Sequence, residues 1–258
     1  MPSDRAPQAT AVASLTLTGE FELNVTGQRL MVPHSVERLL AYLALTERPV
    51  SRTKLAGTLW FDMPQQRAAN NLRTTLWRLG RVCDHIVSTD PDRLTLSPQV
   101  KVDATELAKL SQRLIHARHP DPTDLNDLPA LVTHTELLPG WEDGWVVADR
   151  ERFRVLRLEA LERASAALIE RRCLSEALVA ALAAVQSEPL RETCRRLVVQ
   201  AHITAGNIAE ALHSYHTYRE LLWCELAVEP SRLMQRLIEP VSQTRDNGNV
   251  PHLSLIHI

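Results

Sequence analysis

Residues Arg67–Val82 read RAANNLRTTLWRLGRV. Ala69, Leu72, Leu76, Leu79 and Cys83 follow one another at 3-4-3-4 spacing, which predicts an amphipathic helix with those five as its buried stripe. At 100° per residue the opposite face collects Arg67, Asn70, Thr74, Arg78 and Arg81, with Asn71 and Trp77 at its edges. The segment holds four arginines, Arg67, Arg73, Arg78 and Arg81, and no acid. Arginine grips guanine edges bidentately, asparagine does the same for adenine, and arginine at a rim pairs with phosphate. A charged helix face is most often only solvated surface, so the neighbours of this helix decide how it is read.

On its N-terminal side lie a short helix that Ser51 caps, running to about Trp60, and the loop Phe61–Gln66, broken by Pro64. A longer helix precedes these, with Ser35 as the expected N-cap and Pro49 as the stop. Before it, residues 15–32 alternate apolar and polar residues, with Gly19 and Gly27 as punctuation, the pattern of a small antiparallel meander. On the C-terminal side, Ile86–Thr89 and Arg93–Leu96 flank Asp90-Pro91-Asp92, a turn sequence that predicts a hairpin. Sheet, three helices and hairpin within about 100 residues describe a winged helix-turn-helix. Its last helix is placed to read a major groove, and Arg93 near the hairpin tip is placed to touch the backbone or minor groove.

From Ala104 onward no strand pattern is found. Residues 104–118 read as one helix. Residues 119–140, with Pro120, Pro122, Pro129 and Pro139, read as a linker or irregular connection, and helix follows helix from Trp145 to about Leu237. Ser175-Glu176-Ala177-Leu178 returns as Ala209-Glu210-Ala211-Leu212, an offset of 34 residues, the period of the tetratricopeptide helical hairpin. The expected fold is therefore an α+β winged helix followed by an all-α, tetratricopeptide-like domain. The expected boundaries are a disordered leader over 1–14, the winged helix over 15–103, the helical domain over 104–240 and a disordered tail over 241–258.

Composition is that of an ordinary globular chain: 45% hydrophobic, 23% charged and a net charge of −2. The charge is uneven. Residues 1–103 carry twelve Lys and Arg against ten Asp and Glu, and the remainder carries seventeen against twenty-one, which suits a DNA-binding module joined to something else. Cys83, Cys173, Cys194 and Cys224 form no C-x-x-C pair and read as reduced thiols. There is no membrane-length apolar run and no signal-type leader, so a cytoplasmic protein is expected, nucleoid-associated when bound to DNA. His213 and His216 stand at i, i+3 without a third ligand, so no metal is expected. No nucleophile elbow, zinc-protease or dinucleotide motif occurs, and neither an enzyme nor a cofactor is expected. Trp141, Trp145 and Phe153 read as packing rather than as a ligand cage. Asp149-Arg150-Glu151-Arg152 reads as a solvated helix start with local ion pairs.

The order from Leu15 to Asp103 resembles the winged helix of OmpR/PhoB-type regulators. More narrowly, RLLAYLALTERPVSRTKLAGTLW (38–60) with RAANNLRTTLWRLGR (67–81) resembles the Streptomyces antibiotic regulatory protein family, or SARP. GWVVADRERFRVLRLEALERA (144–164) and AEALHSYHTYRELLWCELAVEPS (209–231) resemble that family's bacterial transcriptional activator domain. The resemblance spans about residues 15–240. It implies a DNA-binding activator of a secondary-metabolite or other gene cluster, with protomers side by side on direct repeats of promoter DNA. The DNA-binding residues would be Arg67, Asn70, Asn71, Arg73, Thr74, Trp77, Arg78, Arg81 and Arg93. It also implies that Asp62 and Met63, in the loop before the recognition helix, meet RNA polymerase holoenzyme. Two departures stand out. Where many members carry a Pro-Gly-Tyr-type stretch entering the wing, this chain has Asp90-Pro91-Asp92-Arg93, and the nucleotide-hydrolysing domain of larger members is not expected, because no phosphate-loop motif is found. The competing reading is a helical-repeat interaction scaffold without DNA binding, which leaves the winged-helix order without a purpose.

Overall fold

A computed structural model of the chain describes residues 13–83, 85–133 and 136–246. The described residues divide into two compact units, those within 13–109 and 136–153 and those within 110–133 and 154–246. Of the expected leader and tail, residues 1–12 and 247–258 lie outside the described residues.

The first unit opens with β1 (Ala13–Thr16), β2 (Glu22–Val25) and β3 (Gln28–Leu30), the meander that the alternation predicts. Leu15 pairs with Leu23 and Leu23 with Leu30, and Leu15, Leu17 and Leu23 are buried. Thr26 and Gly27, both at positive φ, make the two-residue turn whose twist suits a hairpin. Helix α1 (His34–Thr46) buries Val36, Leu39, Leu40 and Leu43. It starts two residues before the expected point: Pro33 holds the N-cap position and its carbonyl accepts from Val36 and Glu37. Ser35 therefore falls inside the first turn, where its hydroxyl is buried without a hydrogen-bond partner among the described residues.

β4 (Val50–Ser51) leads into α2 (Arg52–Leu59), whose N-cap Ser51 accepts from the Lys54 amide at 3.3 Å, as expected. After α3 (Gln65–Val82) comes the hairpin β5 (Val87–Thr89) and β6 (Arg93–Leu96). β4 pairs with β6, giving a three-stranded wing of order β4-β6-β5. β7 (Lys101–Val102) then lies parallel to β1 and completes a four-stranded sheet of order β3-β2-β1-β7. The two-residue strands β4 and β7 are too short to show a period in the sequence.

α4 (Asp103–His116) begins at the end of β7. The Asp103 carboxylate accepts from the amides of Leu17 (2.8 Å), Thr18 (3.1 Å) and Ala104 (2.7 Å) and from the Thr18 hydroxyl, locking β1 to that junction. Residues 136–153 belong to this unit. Trp141 stacks on Phe21 at 6.2 Å and meets His34 edge-on, and Trp145 meets Tyr42 edge-on at 5.2 Å, so the tryptophans pack against protein rings. Arg150 departs from the solvated-start reading. It donates to the carbonyls of Leu137, Leu138 and Trp141 and pairs with Glu136, clamping the chain that leads into α7 (Gly144–Glu170). Asp149–Arg152 is a local pair of the kind expected there.

In the second unit the proline-rich segment is ordered. It holds α5 (Pro122–Asn126) and α6 (Leu128–Val132). Pro122 and Pro129 stand in the first turns, where a missing N–H costs nothing, and Leu128 and Leu131 are buried. α7 is joined to α8 (Leu174–Ser187) by the Ser165 hydroxyl, which donates to the Ala177 carbonyl at 2.9 Å, while α9 (Glu192–Ala205) packs on α8 and on α10 (Ile208–Leu226), and α11 (Arg232–Asp246) packs on α9 and α10. The 34-residue offset holds down to single hydrogen bonds. Arg172 donates to Ile169 and Cys173 to Leu168, as Gly206 donates to Ile203 and Asn207 to His202. Ala177 and Ala211 head α8 and α10 and are both fully buried, where their small side chains let helices close up.

The two repeats make the same left-handed C-terminal turn with different residues: Arg172 at φ 62° and Gly206 at φ 79°. An L side chain pays about 1–2 kcal/mol there that glycine does not. Arg172→Gly is therefore expected to stabilise the helical unit by about 0.5 kcal/mol, after the added freedom of the unfolded chain is deducted. Gly206→Ala should destabilise it by about 1 kcal/mol. Urea midpoints of the full-length variants check both, and equal signs for the two would refute the shared-turn account.

Candidate nucleic-acid interface

α3 is held by its inner face. Ala68, Leu72, Thr75 and Leu79 are buried, with Leu76 and Cys83 half-buried. This corrects the expected stripe. Ala69 is exposed, at the wall of a cavity of about 410 Å³ between α2 and α3 that Ala56, Trp60, Met63 and Arg73 also line. Thr75, counted as polar in the sequence, takes the inward place.

The outer face is as expected. Arg67, Asn70, Arg73, Thr74, Trp77, Arg78 and Arg81 are exposed, and Asn71 is half-buried at the edge. None of the four arginines forms an ion pair among the described residues. Arg73 is steadied by the Asn70 amide oxygen at 3.4 Å, and the Thr74 hydroxyl donates back to the Asn70 carbonyl at 3.0 Å. The Arg81 guanidinium lies 5.0 Å from the centre of the Trp77 ring. The arrangement presents uncompensated positive charge and amide donors on one side of a rigid helix, with no carboxylate on that helix to repel a phosphate.

Arg93 is exposed at the first position of β6, directly after the turn, opposite Ser51 of β4. The wing tip is fastened by a residue the sequence reading passed over. The Arg52 amide donates to Asp92 at 3.0 Å, and its guanidinium reaches the Asp90 carbonyl at 3.5 Å. The signal available for it was its place directly after the helix cap Ser51. Asp62 is exposed, and Met63 is partly so. The Met63 sulfur accepts from the Asn71 amide at 3.2 Å, tying the loop to the first half of α3.

A winged helix carrying a basic outer helix, in one chain with a unit of repeated helical hairpins, defines a regulator-type architecture. The bacterial transcriptional activator domain family matches residues 130–241. The regulatory protein AfsR of Streptomyces coelicolor is 31% identical over 218 residues, covering 80% of this chain and 22% of that protein. AfsR of Streptomyces griseus is 27% identical over 259 residues, covering 92% and 26%. The chain thus spans about a quarter of the length of the curated relatives it matches. Mycobacterium tuberculosis EmbR, solved with a low-affinity phosphopeptide, matches at a TM-score of 0.72 and 18% identity over 91% of this chain and 66% of that one, a likeness of fold. Residues 130–241 thus match a bacterial transcriptional activator domain, and the chain is similar to SARP-type regulators over most of its length. Among the described residues, no helix is long and apolar enough to cross a membrane.

The corrected phase of α3 has a direct check. Leu72→Ala should lower the stability of the first unit by about 2–4 kcal/mol. Ala69→Ser should change it by less than about 0.5 kcal/mol. With Leu72→Ala as the buried control common to both stripes, thermal unfolding of Ala69→Ser decides between the buried stripe seen here and the one the spacing suggests.

Proposed function

We propose that the chain binds promoter DNA in a sequence-specific way and activates transcription from it. The observation that carries this reading is the outer face of α3: four exposed arginines, two asparagines and no acid, on the last helix of a helix-turn-helix with a wing behind it. α3 enters the major groove. Asn70, Asn71, Thr74, Trp77 and Arg78 face base edges, while Arg67, Arg73, Arg81 and the wing residue Arg93 approach phosphates. Arg78 makes no hydrogen bond or ion pair among the described residues, so its donors are free for a base.

One winged helix covers a short stretch of groove and gives limited specificity. Two protomers side by side on direct repeats, spaced by about one helical turn of 10–10.5 base pairs, supply the rest. Direct repeats call for a head-to-tail arrangement rather than a two-fold pair. The loop bearing Asp62 and Met63 meets RNA polymerase holoenzyme, and the controlled genes are a secondary-metabolite or other cluster. DNA-bound protein is nucleoid-associated in the cytoplasm. The similarity to AfsR, the activator-domain match and the basic helix face support this over an interaction scaffold without DNA binding.

Binding to a selected duplex should weaken by about 1–3 kcal/mol in Arg78→Ala at fixed salt. For the wild-type chain, log K should fall linearly with log salt, by about 0.9 per phosphate neutralised. Fluorescence anisotropy over a salt series measures both. A complex indifferent to salt and to Arg78 would remove the DNA reading.

The polymerase contact is tested separately. An Asp62→Ala, Met63→Ala double variant should keep DNA affinity within about twofold, the size of an ordinary surface change, and lose most activation in a reconstituted transcription assay. Undiminished activation refutes the role of the loop.

A further inference from the structure

Trp77 is unlike the other tryptophans of its unit. Trp60 is buried, Trp141 is stacked on Phe21, and Trp145 lies against Tyr42. Trp77 is 61% exposed at one edge of the arginine and asparagine face of α3. It is the sole aromatic residue of that helix. An indole left in water keeps a large apolar area unburied, and a polar surface gains nothing from it. Arg81, one turn on, covers one side of the ring from 5.0 Å and steadies it. Gly80, three residues on, adds no side chain beside it. The indole is thus both held and open on its uncovered side.

The edges of base pairs in a major groove are polar with a single exception, the C5 methyl group of thymine. Resting on the DNA-binding reading above, we propose that Trp77 is a thymine-reading residue, its indole seated against that methyl group, and that Arg81 is a positioning residue that fixes the ring while its charge faces the phosphates. This divides the helix face into two kinds of reader. The amides and Arg78 recognise hydrogen-bonding edges, and Trp77 recognises an apolar group that none of them can sense.

The full-length chain is used to select its site from a random duplex library, and each thymine of the selected site is replaced in turn by deoxyuridine, which removes only the methyl group. At one thymine of each repeat the replacement should weaken wild-type binding about three- to fivefold, the scale of one buried methyl group. It should have no effect on Trp77→Ala and a reduced effect on Trp77→Phe. Arg81→Ala should shrink the same effect at the same position. Arg81→Lys, which keeps the charge but not the flat stacking group, should restore the salt slope and leave the methyl effect reduced. A selected site in which no thymine shows a Trp77-dependent methyl effect overturns the proposal. A methyl effect that survives undiminished in Arg81→Ala overturns the positioning role. If no sequence is selected at all, the DNA-binding reading fails first and this inference falls with it. Circular dichroism confirms that each variant is folded.

Discussion

α3 must satisfy two environments at once, and the first unit is arranged around that constraint. Four inward positions, Ala68, Leu72, Thr75 and Leu79, follow 4-3-4 spacing and carry the packing against α1 and α2. A stripe this narrow leaves more than half of the helix circumference to water. That is how nine polar or aromatic residues can be exposed on one helix without loss of its anchorage. Rigidity comes from the flanks. Asn71 holds Met63 in the loop before the helix. The strand that leads into α2 is paired with the wing that follows α3. α3 is therefore flanked by hydrogen bonds that leave its arginines without an ion pair among the described residues.

The second unit is built on a different economy, that of a repeated turn. Two helical hairpins 34 residues apart close with the same pair of backbone hydrogen bonds and the same left-handed residue. Between them lies a polar knot. Glu162 accepts from Arg191 through both of its oxygens at 2.9 Å, and also from Thr193 and Cys194. Burial alone would raise the Glu162 carboxyl, but the hydrogen bonds from Arg191, Thr193 and Cys194 together outweigh it and hold the group below its ordinary value. Burial and the same carboxylate push the Cys194 thiol up to about 12, so this cysteine is an inert core group at neutral pH. A satisfied, half-buried network of this kind fixes one register between α7 and α9, which apolar packing of alanine-rich helices leaves loose.

Much of this was legible in the sequence, and the failures share a cause. The meander, three helices, the hairpin and the 34-residue offset all rest on local periodicity or turn chemistry, and each is present in the fold. β4 and β7 were not legible, because two residues carry no period and their pairing is set by tertiary contact. Thr75 is buried where Ala69 was expected to be, because a polarity count assigns a threonine to the outside although its small, part-apolar side chain can be buried. The prolines at 122 and 129 suggested a break, whereas proline at the start of a helix is compatible with one. At the candidate interface the exposed set was legible throughout, since an outward face needs no partner to define it. The attachments of that face were not: Arg52 to the wing tip and Met63 to Asn71 join residues whose sequence spacing carries no signal.

Arginine shows most clearly why pairing, rather than composition, separates function from structure in this chain. In the helical unit, Arg157 donates to the Leu131 carbonyl and the Ser187 hydroxyl, Arg163 to the Ala117 carbonyl, Arg171 to Pro120 and Arg191 to Glu162. These guanidiniums tie helices together, and their donors are already in use. On α3 the same residue type meets only a neutral amide and an indole, or nothing among the described residues. A net charge of −2 averages the two populations and conceals both. The field that a polyanion meets is set by the uncompensated charges alone, because a paired guanidinium is seen at a distance as part of a dipole. A chain that is slightly acidic overall can therefore present a helix that attracts DNA, provided its acids are committed elsewhere. Glu162, Asp103 and Asp143 are committed to partners of their own.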